Sequence, residues 1–391
     1  MSESVIVAGA RTPIGKHMGA LGKLSAVDLG AVAIKAALDR AGITGDDVGY
    51  VIMGHVLAAG VGQGPARQAA LKAGIPHVVP TLTVNKVCLS GMTAIALADQ
   101  LIRAGEQDIV VAGGMESMTQ APHLLPGMRA GVRAGSAELV DSMFHDGLTD
   151  FSENILMGES TDRYNTKFGV ERGIQDEISV LSHQRAAEAQ KNDVFRDEII
   201  PVKIGDTLVT ADEGIRPGTS LESLGRLRPS FIPDGTITAG NASQISDGAS
   251  ALVVMRRSKA EELGLDWLAE ISAHGMVAGP DNSLHSQPSC AIQQAMKKAR
   301  VSLSDLDHIE INEAFAAVVA KSIRDLGVDM KKINSHGGAI ALGHPIGASG
   351  ARIVLHLAQT LNRRGGGVGA AGICGGGGQG EALIIRSSGS R

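Results

Sequence analysis

Ser90-Gly91-Met92-Thr93-Ala94-Ile95-Ala96-Leu97-Ala98 is the stretch on which the reading of this chain turns. It has the composition of a helix but no polar face, and such a helix is buried on all sides. Its glycine and alanines allow close approach of another helix. Ser90 opens this segment, and the next β-branched run ends 23 residues later at Gly113; Ser349-Gly350 opens a second small-residue helix whose strand reaches Gly372 after the same interval of 23. A repeated frame of this kind indicates a duplicated unit. In that frame Cys88 matches Gly347, and Cys374 follows the last strand of the second unit.

Outward from Ser90 the chain alternates short β-branched runs with Ala- and Leu-rich stretches. Strands are expected at Ser4–Gly9, Tyr50–Gly54 and Asp108–Gly113, and helices at Ala26–Ala41, Pro65–Ala73 and Ser90–Ala104. This is the rhythm of a layered α/β fold. From Met115 to about Gly240 the pattern loosens into Gly, Pro, Met and charge, with one amphipathic helix around Asp176–Asn192, which reads as an inserted loop domain. The expected divisions are 1–118 with 244–267 as one half, 119–243 as the loop domain and 268–391 as the other half. The two halves lie back to back, with the small-residue helices between two sheets.

Composition narrows the function. With 43% hydrophobic but only 2% aromatic residues and 51 glycines, the interior is built from small aliphatic side chains. A net charge of −5 and no basic cluster interleaved with aromatics argue against nucleic-acid binding. Cysteines at 88, 290 and 374 are odd in number and lack Cys-x-x-Cys spacing, which speaks against a disulfide framework and a zinc site and for a reducing compartment. Met1-Ser2-Glu3-Ser4 lacks the features of a secretory leader, no apolar run reaches membrane-spanning length, and Ser387–Arg391 is a polar tail without a peroxisomal ending. The cytoplasm is expected.

Two motifs mislead. Gly9–His17 imitates a phosphate-binding loop but is one residue too long, with His17 where a Mg²⁺-holding hydroxyl belongs. Gly367-Val368-Gly369-Ala370-Ala371-Gly372 fits a dinucleotide fingerprint, but no helix opens on it. His336 and His344 are eight apart with no carboxylate nearby in sequence, so no metal is expected. Cys290 reads as a small hydrophobe.

Four motifs remain. Cys88 immediately precedes a helix, where unpaired N–H groups favour a thiolate, so a nucleophile at neutral pH is expected. His344, in Gly343-His344-Pro345, stands in a constrained loop suited to aiming an imidazole at a thiol. Cys374 opens a glycine run in which backbone N–H groups can converge as an oxyanion hole. Asn312-Glu313 adds an amide and a carboxylate.

Asn85–Met92, Gly113–Met118, Asn241-Ala242-Ser243, Asn312–Ala316, Gly337–Gly347 and Cys374–Gly380 together resemble the thiolase family, in order and across nearly the whole chain. The resemblance is to its biosynthetic acetyl-CoA acetyltransferases. It implies a layered αβαβα sandwich and a ping-pong Claisen condensation of acetyl-CoA with no cofactor other than coenzyme A as substrate. Cys88 would be acylated with His344 as its base, and Cys374 would remove the α-proton of a second acetyl-CoA. His344 with a water held by Asn312 would serve the enolate oxygen, the N–H groups of Cys88 and Gly376 the tetrahedral intermediate, and Glu313 would orient. Arg216 and Ser223 would meet the nucleotide end of CoA. Leu148, Met157, Phe231, Ala239, Ala242, Ser243, Ala314 and Phe315 would line the pantetheine tunnel.

A homotetramer follows from the resemblance at Pro122–Pro126. Leu156, Leu284-His285-Ser286 and Ser335-His336 depart from the family pattern, which leaves acyl length open. A degradative thiolase of broader chain length, a decarboxylating synthase of the same fold and a non-catalytic acyl-CoA-binding relative are the competing readings. The intact Cys374 motif weighs against the synthase, and the presence of all four catalytic positions against the binding protein.

Overall fold

The structure is a computed structural model that describes residues 4–389; Met1, Ser2 and Glu3 of the leader reading and Ser390 and Arg391 of the tail reading lie outside them. Its main strands are β1 (Ser4–Arg11), β2 (Tyr50–Gly54), β3 (Thr81–Val84), β4 (Ile109–Ser117), β5 (Ser246–Arg256), β6 (Ala269–Ala278), β7 (His308–Ile311), β8 (Gly367–Gly375) and β9 (Gln379–Ser387). The helices that matter here are α1 (Ala26–Ala41), α2 (Pro65–Lys72), α3 (Ser90–Arg103), α4 (Met157–Phe168), α5 (Arg172–Lys191), α6 (Gln287–Ala299), α7 (Ala316–Leu326), α8 (Ala339–Leu342) and α9 (Ile346–Arg363).

Strands run in the order β7-β8-β9-β6-β1-β5-β4-β2-β3, with the two-residue strand Gly15–Lys16 beside β5. The two ends repeat one another. β2 pairs parallel with β4 as β7 does with β8, and β4 pairs antiparallel with β5 as β8 does with β9. The halves meet where Val5 and Ile6 of β1 pair with Glu270 and Ala269 of β6. That junction differs from two separate sheets: a short antiparallel contact joins both into one ten-stranded sheet.

Successive side chains of the central strands point to opposite faces, as a period of two requires, and both faces are covered. Val5 and Val7 of β1 face α1 and α2, whereas Ile6 faces the central layer of α3 and α9. In β9, Leu383 and Ile385 face that central layer, and Ala382 and Ile384 face α6 and α7. Five layers result, αβαβα, with α3 and α9 in the middle. The reason these helices carry glycine is reciprocal: a Cβ at Gly91 would lie 2.8 Å from Ala351 N, and one at Gly350 would lie 2.4 Å from Met92 N.

Several boundaries differ from the sequence reading. β1 continues two residues to Arg11, whose buried guanidinium is held by Glu198 and Asp212, so the phosphate-loop look-alike begins inside a strand. The Gly367–Gly372 fingerprint also lies wholly within a strand. α5 starts a turn earlier than the apolar pattern suggests, at Arg172, whose side chain bonds Asp176 one turn on. Among the described residues no helix is long and apolar enough to cross a membrane.

Candidate active site

The chain turns from β3 into α3 through Val87, a β-branched residue held at φ 50°. Left-handed backbone is disfavoured for such side chains, and it persists only where the surroundings fix it. Here Ser90 fixes it: its hydroxyl donates to Val87 O at 2.6 Å and accepts from Lys86 N at 2.8 Å. Cys88 is thereby presented at a sharp turn, and its sulfur faces its own N–H and that of Gly376. The two donors expected to form an oxyanion hole therefore converge on the nucleophile.

The thiolate expected at neutral pH is not what this environment favours. Burial pushes the Cys88 thiol up to about 12, and the charge of Glu116 adds to the shift while the two N–H groups only partly offset it. Deprotonation therefore requires a base at the moment of attack. Cys374, at the end of β8, is also raised, first by burial and then by the proximity of Cys88. The two sulfurs, 286 positions apart in sequence, are near enough to feel each other's charge.

His344 supplies the base geometry. Ser349 Oγ, one helical turn on, donates its single hydrogen to Pro345 O at 2.9 Å, so it must accept at 2.6 Å from His344 Nδ1–H. The tautomer is set, and Nε2 is left with its lone pair, buried and without a protein partner. Burial, helped by the charge of Arg352, lowers this imidazole to about 3. The His344 backbone is anchored by N–H donation to Gln244 O at 3.0 Å, and Gln244 in turn bonds the carbonyls of Ile340 and Ala341 in α8.

Asn312 follows β7 and is fixed by its N–H to Gly372 O at 2.9 Å, while both atoms of its buried side-chain amide lack a protein partner. Glu313 points away. Its buried carboxylate accepts from Ser182 Oγ (2.6 Å), Asn334 Nδ2 (2.9 Å) and Ile340 N (3.1 Å), tying α5 to the turn before His344.

A cavity of about 290 Å³ opens onto Cys88 and His344. Leu148, Met157, Phe231, Ala242, Ser243, Ala314 and Phe315 line it, as the sequence reading has them. Cys374 stands behind this wall, packed on Ala314, Met157 and Phe315. Arg216, Ser223 and Ala239 are exposed and do not line the cavity. Ser223 Oγ is engaged in a cap with Ser220, and Arg216 reaches Gln244 Oε1 at 3.4 Å. The sequence reading missed Phe144, Ile245 and Ile346 on the lining, and it cited Leu156 only as a departure. It also missed Ser349 as the partner of His344, although Ser349 was the marker of the internal repeat. His336, expected to have no carboxylate nearby, bonds His356, which bonds Glu198 brought from afar. Among the described residues no group of three metal-ligating side chains converges.

Comparison with known proteins shows the family. A family model for the thiolase N-terminal domain matches residues 4–258, and one for the thiolase C-terminal domain matches residues 265–387. A probable acetyl-CoA acetyltransferase of Mycolicibacterium smegmatis is 59% identical over 98% of this chain and 100% of its own length. Its counterpart in Mycobacterium tuberculosis is 58% identical over 99% of this chain and 100% of its own. An acetyl-CoA acetyltransferase of Cupriavidus necator is 48% identical over 98% of this chain and 99% of its own.

Proposed function

This chain belongs to the thiolase family, and from that premise we propose which of its residues carry the condensation of acetyl-CoA and how. It is an acyltransferase, and the family's ping-pong cysteine cycle maps onto the cavity as follows. Cys88 Sγ attacks the thioester carbon as its proton passes to His344 Nε2. The oxyanion forms against the N–H groups of Cys88 and Gly376. Collapse expels the CoA thiolate, which takes the proton of Cys374 and leaves as the free thiol. The thiolate so formed at Cys374 removes an α-proton from a second acetyl-CoA. The enolate oxygen meets His344 Nε2–H and a water held by Asn312, and its carbon attacks the acetyl group on Cys88. Cys88 leaves as thiolate and recovers its proton from His344, releasing acetoacetyl-CoA. Each oxyanion donor of this kind contributes ~3–4 kcal/mol.

The observation that carries this reading is a fixed tautomer, Nδ1–H on Ser349, with a buried Nε2 that has no protein partner, on a residue that lines the same cavity as Cys88. The pantetheine arm would occupy the apolar lining, with the nucleotide end outside near Arg216 and Ser223. Coenzyme A is substrate and product, and no other cofactor is invoked. The segment 119–243 would act as a loop domain inserted between the two halves. Its exposed Met128, Val132 and Leu139, on an arm tied by the pairing of His123–Leu124 with Val140–Asp141, suit burial in a homotetramer. A cycle with two free thiols suits a reducing compartment such as the cytoplasm.

Incubation with acetyl-CoA followed by mass spectrometry tests the division of labour. Cys374→Ala should gain one acetyl group yet fail to condense, whereas Cys88→Ala should gain none. Equal loss of labelling in both variants rejects the assignment. A thiolysis series with 3-ketoacyl-CoAs of increasing length then measures chain preference.

A further inference from the structure

Glu116, in β4, is fully buried, and the cycle above does not use it. Its Oε2 accepts from Val56 N at 3.1 Å and Gly347 N at 3.0 Å, and its Oε1 accepts from Leu57 N at 3.1 Å. Gly347 lies in the first turn of α9, the turn in which Ser349 holds His344. A Cβ at position 347 would sit 2.7 Å from Oε2, so glycine there lets the carboxylate reach the backbone. On the other side, His55 Nε2 stands 3.4 Å from Oε1. The His55 ring is 1% exposed, and its buried Nδ1 has no protein partner. It lines a second cavity of about 280 Å³, with Ser25, Gln68, Lys72, Ser117 and Gln120.

We propose that Glu116 is a positioning residue for acyl transfer: its carboxylate holds the first turn of α9, and with it the His344–Ser349 pair, in register with Cys88. His55, which lines the second cavity, governs when that carboxylate is ionised.

The surrounding charges fit this role. Burial pushes Glu116 up to about 7, and Asp247 on β5 adds to the rise. Asp247 is itself bonded by Thr119 and faces His17. Lys72, across the second cavity, is paired with Asp28. Burial lowers His55 to about 4, so its ring is neutral while Glu116 titrates. His344 at about 3 and Cys88 at about 12 titrate far from neutrality. A protonated Glu116 turns one oxygen from acceptor to donor and can no longer take all three N–H groups. Acyl transfer therefore slows on the acid side while CoA affinity, set along the apolar cavity, is preserved.

The test is the pH profile of the acylation half-reaction, measured with acetyl-CoA on the purified full-length enzyme and the variants Glu116→Gln, Glu116→Asp and His55→Phe. Gln cannot accept at both atoms, so kcat should fall by about tenfold or more with KM within about twofold, and the acid limb should disappear. Asp should restore the limb in part. Phe, which removes the polar ring nitrogen 3.4 Å from Oε1, should move the limb to higher pH by about half a unit or more. Folded variants whose acid limbs coincide with that of the wild type overturn the proposal. If Glu116→Gln does not fold, the limb of His55→Phe decides alone. The inference rests on acylation of Cys88, and the wild type separates the two. A wild type that forms no acyl-enzyme removes the assignment of Cys88, whereas an active wild type with unshifted variants removes only the role of Glu116.

Discussion

The two halves carry one scaffold and put different chemistry at the same places. Pairing of Tyr50 with Val110 in the first half matches pairing of His308 with Gly369 in the second. Gly54 therefore corresponds to Asn312, His55 to Glu313, Met115 to Cys374 and Glu116 to Gly375. In the second half these strand ends carry a buried amide without a protein partner and a buried thiol, the groups to which the proposed cycle gives work. In the first half they carry a carboxylate that holds three backbone N–H groups and an imidazole that stands beside it. The turns before the central helices divide in the opposite sense: Cys88 brings a thiol, and its counterpart Gly347 brings an N–H to Glu116. Each half thus supplies one sulfur and braces the other, which is why the site needs both and lies between them.

The strongest break of this comparison is at the brace itself. Glu198 joins Arg11 of β1 (3.0 Å) to His356 of α9 (3.0 Å), linking one half to the helix of the other. Burial alone would raise this carboxyl, but the charges and hydrogen bonds of His356 and Arg11 bring it down to about 2. A folded value below the ordinary 4.5 means that its stabilisation is present above pH 4.5 and is lost as pH falls towards 2. Glu116 has the opposite sign: its folded value is raised to about 7, so ionisation opposes folding and that penalty is relieved as pH falls from 7 to 4.5. Glu198→Gln should cost about 3–5 kcal/mol at pH 7, because it leaves Arg11 and His356 poorly compensated, and should flatten the loss of stability below pH 4.5. Urea unfolding at pH 7 and pH 4 measures both, and an unchanged acid slope would contradict the assignment.

A smaller effect separates two serines that the repeat makes equivalent. Ser90 and Ser349 each donate back to a carbonyl at the start of a central helix, Val87 O and Pro345 O. Only Ser349 also accepts from an imidazole, that of His344, the base of the proposed cycle. Ser349→Ala should lower the rate of acylation by about tenfold to a hundredfold, since the Nδ1–H proton loses its acceptor and the tautomer its constraint. Ser90→Ala should instead lower stability by about 1 kcal/mol. Stopped acylation assays that find the two variants equally slow would dissolve the distinction between base-holding and turn-holding serines.

What the sequence disclosed, and what it withheld, follows the same physical line. The central helices, the repeat and most of the residues lining the cavity are legible because small residues and glycines at fixed intervals leave a local trace. The braces were not. Glu116, Glu198 and Ser349 act on groups that folding brings from elsewhere, and nothing in Met115-Glu116-Ser117 announces three backbone donors. The charge state of Cys88 was misread for the same reason: helix position is local, whereas burial belongs to the assembled layers. The lining residues Phe144, Ile245 and Ile346 come from three separate segments with no common spacing. The junction of β1 with β6 rests on two residue pairs, too short to register as a pattern.

The finest test concerns the strained turn beside Cys88. Val87 holds φ 50° beside the nucleophile, and its methyls lie 3.4 Å and 3.6 Å from where a Cβ on Gly376 would be, so it packs one oxyanion-hole loop on the other. Its counterpart in the second half is Ile346, which opens α9. Val87→Gly relieves about 1 kcal/mol of left-handed strain but frees the unfolded chain by a similar amount, so stability should barely move. The contact with Gly376 is lost, and the two N–H donors at Cys88 become less rigidly paired. Acylation should slow by about threefold to tenfold with unfolding midpoints unchanged, because a donor displaced by a fraction of an ångström stabilises charge less well. A full-rate Val87→Gly enzyme would mean that the helix turn alone aims the thiol, and that the strained residue serves only to let the chain pass.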